Sequence, residues 1–390
     1  MDPTTHQKQP EEQERHYLGG LQGLRSASKE LQNFTLFLTK DPQASITAVL
    51  NQGDEIKELL ETDPSLFKLS HLLCNLQTAL GELGATRGYG LPSIIRRQAI
   101  YYKISQLARQ IEREAQGYLD KDSIFRLLRT LDRSEDEGAK VKVLTELEVR
   151  LWQGFDRDYQ DLILKAKVFQ LLESILCDNA CSRTIREHAA QVIVALIRFN
   201  RNVFVGLVLM GPTLEALISM GSCRSIQVLT SLVALVRSPL IDEIESLGEV
   251  PRIMALLRSQ DPATRVAAID CLCEIAYHGR KEVIEAMLEQ GLIETLLELQ
   301  RQDQIHRDGE HDEDRRRQRG EEEEEEEEGK RGGFDGCVAK FAVQVEVGEG
   351  LTNQERREFK MEILRRVKRA CVSEAEDASV SAEVLWGSSA

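Results

Sequence analysis

Between positions 211 and 299 the chain returns three times to one phrase, a glycine followed by aliphatic residues at helical spacing. Gly211-Pro212-Thr213-Leu214-Glu215-Ala216-Leu217-Ile218 is followed by Gly248-Glu249-Val250-Pro251-Arg252-Ile253-Met254-Ala255-Leu256-Leu257, then by Gly291-Leu292-Ile293-Glu294-Thr295-Leu296-Leu297-Glu298-Leu299. The glycines stand 37 and 43 residues apart. Spacing of that size with a helical apolar period is that of a three-helix repeat. One such unit cannot bury its hydrophobic face alone, so repetition constrains the chain to a stacked array.

The punctuation within a unit has physical reasons. Gly248 predicts a helix end, because the position after a helix favours φ > 0, which costs glycine least. Pro251 predicts the start of the next helix, which carries Ile253, Met254, Leu256 and Leu257 on one face. Asp261-Pro262 predicts the cap of a third helix running to Tyr277, with Val266, Ile269, Leu272, Cys273, Ile275 and Ala276 inward. Gly279 closes it. Lys281–Gln290 reads as the first helix of the following unit, closed by Gly291.

Gly248–Leu257, Asp261–Gly279 and Gly291–Leu299 resemble armadillo repeats. That family's pattern is roughly G-x-I-P-x-L-V-x-L-L, an aspartate, then a helix of the type A-A-x-x-L-x-x-L-A. Here it stands as Gly248-Glu249-Val250-Pro251, Leu256-Leu257, Asp261, Ala267-Ala268, Leu272 and Ile275-Ala276. Gly211–Arg237 and Lys167–Ile197 match more loosely, and the resemblance covers about 160–371. The whole layout is similar to plant armadillo proteins related to the U-box ubiquitin ligases. No run of the type C-P-I-x-x-x-x-M-x-D-P-V is present, so ligase activity does not carry over.

The resemblance implies an all-α chain, a helical bundle followed by an armadillo superhelix of about four repeats. It implies a groove lined by third helices that binds an extended polypeptide. The roles it suggests are a non-enzymatic scaffold or adaptor, a regulatory relative of U-box ligases without their catalytic domain, or a nuclear transport adaptor. In nuclear-import adaptors a Trp and an Asn on each third helix hold the peptide. The matching positions here are Gln191 and Ala195, Thr230 and Ala234, and Asp270 and Glu274, none of them Trp or Asn. Gln191, Thr230, Asp270 and Glu274 are the candidate partner-binding residues. Asp270 and Glu274 lie one turn apart. They read either as a solvated acidic face or as the end of a groove that prefers a basic segment.

Composition agrees with helices. Aromatic residues are 5% and prolines only nine, which argues against a β-sandwich or barrel. A net charge of −15 disfavours a general nucleic-acid binder. Residues 1–16, charged and Gln-rich, read as a disordered lead without the apolar stretch of a secretory signal. Residues 17–155 read as the bundle, with stripes at Leu24, Leu31, Phe34 and Leu38 and at Ile94, Ile95, Tyr101, Tyr102, Ile104, Leu107 and Ile111. Asp41-Pro42 and Asp63-Pro64 look like helix starts. Residues 156–371 read as the solenoid and 372–390 as a tail. Apolar runs such as Val203–Met210 fall short of the ~20 residues of a membrane span. Position 2 is not glycine and no prenylation box closes the chain. The expected setting is cytoplasmic and also nuclear, without integral membrane association.

Residues 301–333 are charge-dense and include the eight glutamates Glu321–Glu328. Leu292–Gln300 reads as the second helix of a fourth repeat and Cys337–Val345 as its third. The tract is therefore expected as a disordered loop insertion, tolerable because closure entropy grows only with the logarithm of length. It reads as a solubilising loop, as a docking loop for a basic partner or as a cover for the groove. The alternation of Phe341–Val347 also fits a strand. Asn353–Cys371 carries Phe359, Ile363, Val367 and Ala370 on one stripe and reads as a capping helix. Alternatives for its basic patch, Arg365, Arg366, Lys368 and Arg369, are a nuclear-localisation signal and a membrane- or calmodulin-facing helix, the latter weakened by the interleaved Glu355, Glu358 and Glu362.

No catalytic or cofactor motif stands out. There is no phosphate-binding Gly-rich loop, and the seven histidines lack a triad setting. Cys177, Cys181 and His188 lack a fourth ligand for zinc. Cys271 and Cys273 sit two residues apart on a helix and share no face. The eight cysteines read as reduced thiols, mostly buried. No metal, cofactor or nucleic acid is expected, and the partner is a protein or peptide.

Overall fold

A computed structural model describes residues 5–36, 42–86, 90–317 and 334–387, and among these residues no strand occurs. The chain divides into two compact units, Met1–Ser134 with Asp156–Ala166, and Glu135–Phe155 with Lys167–Ala390.

The first unit is a bundle. It contains α1 (Thr5–Leu36), α2 (Pro42–Glu55), the short α3 (Lys57–Thr62), α4 (Phe67–Ala85) and the long α5 (Leu91–Arg133). Next in the chain, α6 (Glu137–Trp152) belongs to the second unit, and α7 (Arg157–Lys165) returns to the first. Helix α5 is the spine, with α1, α4 and α7 packed on it. Leu24, Leu31, Leu69, Leu76, Ile104 and Ile111 fill the core. The expected start at Asp63-Pro64 is present. The Asp63 carboxylate accepts from Ser65 N at 2.8 Å and opens a single 3-10 turn that leads into α4. Hydrogen bonds from the Ser65 side chain and backbone, with help from Tyr118, hold the Asp63 carboxyl below its ordinary value.

Two expectations for this region need correction. Helix α1 begins at Thr5, so most of the expected disordered lead 1–16 is helical; its straight-chain Gln, Glu, Lys and Arg residues have good helix propensity. The expected boundary at 155/156 does not match the observed units. Helix α6 packs on a helix of the second unit through Leu144, Leu147 and Leu151, whereas α7 packs on α5 through Tyr159 and Ile163.

The second unit continues with α8 (Val168–Cys177) and α9 (Arg183–Phe199). Two complete triplets follow: α10 (Arg201–Met210), α11 (Thr213–Met220) and α12 (Cys223–Val236), then α13 (Ser238–Ser246), α14 (Val250–Ala255) and α15 (Pro262–His278). A further triplet is α16 (Lys281–Glu289), α17 (Leu292–Arg317) and α18 (Cys337–Val347), and the chain ends with α19 (Asn353–Ala370) and α20 (Glu374–Trp386). This is the helix order of armadillo-type repeats.

The expected punctuation is present. Gly248 and Gly291 have φ of 68° and 81°, and Asp261 caps α15 by accepting from Ala263 N at 3.2 Å and Thr264 N at 3.1 Å. Gly211 is needed for a different reason, since its φ is −103°. A Cβ there would run into the Glu173 carboxylate and would lie 2.8 Å from the Leu207 carbonyl oxygen.

Helix α17 continues to Arg317, so residues 301–317 are helical rather than part of a disordered loop. The rest of the expected insertion, with Glu321–Glu328, lies outside the described residues. Phe341–Val347 is helical, which removes the strand alternative. The expected tail 372–390 contains α20, capped by Ser373 and burying Val380 and Val384. Arg301 donates to Glu376 and to the Ala370 carbonyl, both at 2.6 Å, and so joins α17 to the end of α19 and to α20. Among the described residues no single helix is long and apolar enough to cross a membrane; α10 and α11 meet that measure only together, across a 68° bend.

Candidate functional site

The third helices form a ladder. Helix α6 packs on α9, α9 on α12, α12 on α15 and α15 on α18. Side-chain bonds set the register of the first three rungs. Ser182 caps α9 and donates to Glu137 Oε1 at 2.7 Å. The buried Glu187 accepts from Arg183 at 3.0 Å and from Ser222 Oγ at 2.7 Å. Ser222 in turn caps α12 in a capping box with Ser225. A buried carboxylate needs such partners, because an unpaired one is costly.

This register leaves one side of each rung to solvent. A depression of about 270 Å³ opens there, lined on α6 by Glu148 and Trp152, on α9 by Gln191, Ala195 and Arg198, and on α12 by Gln227 and Ser231 among others. Trp152 is 56% exposed, and the Arg198 guanidinium lies 4.8 Å from its ring centroid. That is cation–π distance, and it holds the indole in place. Two amides, a fixed aromatic face and a guanidinium provide donors, acceptors and a stacking surface, the groups that grip a polypeptide backbone and flat side chains.

The four expected partner-binding residues do not form one cluster. Gln191 lines the depression. Thr230 does not; its Oγ1 donates to the Ile226 carbonyl at 2.9 Å. On α12 the depression is lined by Gln227 and Ser231 instead. Asp270 and Glu274 lie farther along the ladder and are engaged within the protein. Asp270 Oδ1 accepts from Lys340 Nζ at 2.6 Å, and Glu274 Oε1 is 3.3 Å from Nε2 of the buried His278.

The basic patch is divided. Arg366 is structural, bonded to Glu362 at 2.8 Å and to the Leu288 carbonyl at 2.7 Å. Arg365 pairs with Glu362. Lys368 and Arg369 are exposed in the last turn of α19. Cys271, Cys273 and Cys337 are buried, and burial pushes each thiol up to about 12. No group of three metal-binding side chains converges among the described residues.

Trp152 is among the lining residues that sequence reading missed, with Glu148, Arg198, Gln227 and Ser231. The i, i+3, i+7 spacing of Leu144, Leu147 and Leu151 on α6 was the available signal, because it gives that helix a buried face like those of later rungs.

No protein-family model matches the chain, and no curated protein does. Solved structures with a similar course include a designed armadillo repeat protein, YIII(Dq)4CqI, at 14% identity and a TM-score of 0.43, covering 68% of this chain and 98% of that one. An engineered protein from the Northeast Structural Genomics Consortium has 14% identity and a TM-score of 0.43 over 95% of this chain and 87% of its own. The karyopherin Kap121p, bound to the extreme C-terminus of the phosphatase Cdc14p, has 11% identity and a TM-score of 0.38 over 91% of this chain and 36% of its own. The assignment of the repeats rests on the chain's own helix order.

Proposed function

We propose that the chain is a non-enzymatic scaffold whose third-helix ladder holds an extended segment of a partner polypeptide. The observation behind this reading is the depression where Gln191, Gln227 and the Arg198-backed Trp152 stand on three successive rungs. Packed helices lie about 8–10 Å apart, which matches about three residues of extended chain. Amides on adjacent rungs therefore meet backbone groups at regular intervals. Since Asp270 already holds Lys340, a basic segment at that end competes with an internal pair, and the reading favours a partner of mixed or neutral character.

The test is an array of extended peptides probed with the full chain and with a Trp152→Ala/Gln191→Ala/Gln227→Ala variant. Peptides bound by the parent and lost by the variant, at equal thermal unfolding, support the reading. Equal binding by both refutes it, as does turnover of a substrate by the purified chain.

A further inference from the structure

Charge is unevenly compensated along the third-helix ladder. Past α12 the acidic side chains are met from within the protein, Asp270 by Lys340 and Glu274 by His278. Around the depression on α6, α9 and α12 the charged lining residues are Glu148, Arg198 and Arg224. Among the described residues none of these three side chains has an ion pair. Arg198 and Arg224 are both exposed. Two guanidinium groups against one carboxylate leave this part of the ladder positive, within a protein of net charge −15.

An apolar patch adjoins these cations. Val149, 55% exposed, stands one turn before Trp152 on α6. Gly154, at φ 112°, turns the chain after α6 and brings Phe155 onto the end of α9. There the Phe155 ring lies 5.5 Å from that of Phe199 and stays 61% exposed. Arg198, which backs Trp152, precedes Phe199 in the chain, so indole, phenyl and guanidinium meet at the C-terminal end of α9. Rings held on one face and open on the other offer a partner an apolar seat at little cost in side-chain order.

A basic segment would meet like charge here, which selects against it. A carboxylate set opposite either guanidinium answers a charge that nothing in the protein answers, and each guanidinium offers it paired N–H donors. A lipid surface is flat, whereas these groups line a depression carried on three helices. We propose that the segment held on the ladder is acidic and aromatic, its aromatic side chain against Trp152 and Phe155 and its carboxylates at Arg198 and Arg224. The inference rests on the scaffold reading above and fixes the chemistry of its partner. At about three residues of extended chain per rung, ring and carboxylates stand about three to six residues apart. The stretch over the Asp270–Lys340 pair needs no charge, so the segment as a whole is of mixed character.

The test sorts an array of extended peptides, graded in charge and in aromatic content, by retention on the full chain. Peptides that carry Phe, Tyr or Trp near Asp or Glu are expected to be retained above all others. The best of them is then titrated against the full chain with Trp386→Phe, which leaves Trp152 as the only indole. It is expected to shift the Trp152 emission and to bind about tenfold tighter than its own Asn and Gln form, by a margin that shrinks with salt. Arg224→Glu, which leaves Trp152 its backing, lowers affinity about fivefold, and Arg198→Glu/Arg224→Glu removes the preference for carboxylates. Both arginines are exposed, and unchanged thermal unfolding shows that the fold survives. Retention of neutral or basic peptides in place of acidic ones overturns this inference and leaves the scaffold reading standing. Binding of the acidic peptide that the double reversal leaves unchanged also overturns it, by placing contact elsewhere, as on α19. Retention of no peptide of any charge at low salt overturns both.

Discussion

The two units hold themselves together at different sequence distances. In the bundle, Arg25 bonds Gln116 and Gln32 bonds Glu112, links across 91 and 80 residues. In the solenoid, Ser222 reaches Glu187 across 35 residues, and the bonds of Thr213 to Glu173 and Ser238 to the His278 carbonyl each span 40. These three distances are about one repeat long, whereas the bonds that Arg237, Arg301 and Arg366 make across the charged insertion span 69 to 112 residues. Lys340 to Asp270, also adjacent rungs, spans 70 only because the charged insertion intervenes. The bundle thus closes one core from distant segments, whereas the solenoid adds interfaces between neighbours. Damage should spread through the first and stay local in the second.

The largest effect that tests this contrast is Leu272→Asp in the core of α15. Leu272 is buried, so the change leaves an unpaired carboxylate inside and costs about 4 kcal/mol or more. Hydrogen exchange of the full chain should show lost amide protection in α12, α15 and α18, with α1, α4 and α5 unaffected. Even loss over both units would erase the distinction. Ile104→Ala should cost about 3 kcal/mol in the bundle and lower protection of α1, α2, α4 and α5 together. Loss confined to α5 would count against a single core there.

Ser222→Ala should cost about 1 kcal/mol, because it removes a helix cap and a partner of buried Glu187. Its exchange signature should be confined to α9 and α12. The smallest effect concerns acid. Bonds from Thr264 hold the Asp261 carboxyl below its ordinary 3.8, so its contribution is present above about pH 4 and is lost as pH falls through the folded value. Asp261→Asn keeps an acceptor but removes the titration, and should flatten the acid dependence of solenoid unfolding; an unchanged acid limb would assign that dependence to other groups.

What sequence made legible was local. Gly248, Pro251 and Asp261 act on residues one to four positions away, so their roles follow from chain chemistry alone. What stayed hidden depended on tertiary partners. The pairing of Asp270 with Lys340 crosses the insertion, and nothing near either residue announces it. Helix α6 was assigned to the bundle because its rung character depends on α9 packing against it, and Trp152 was missed with it. On α12 the helix pattern fixes the buried face but leaves the solvent-facing register loose, so Thr230 was chosen where Gln227 and Ser231 line the depression. In α5, Ile94, Ile95 and Tyr102 share the helical stripe with the core residues Ile104, Leu107 and Ile111 in sequence but stand exposed, because apolar periodicity does not say which side of a helix meets a neighbour.

Helices α19 and α20 have a consequence for how such a chain can lengthen. Helix α20 packs against α18 with Val380 and Val384 buried, and Arg301 and Arg366 fasten the closing pair to the preceding triplet. A unit inserted directly after α18 would have to displace this pair and break those bonds. A triplet duplicated at an interior junction such as Gly279, where one triplet hands over to the next, would leave that pair in place, so an engineer lengthening this array would work from its middle.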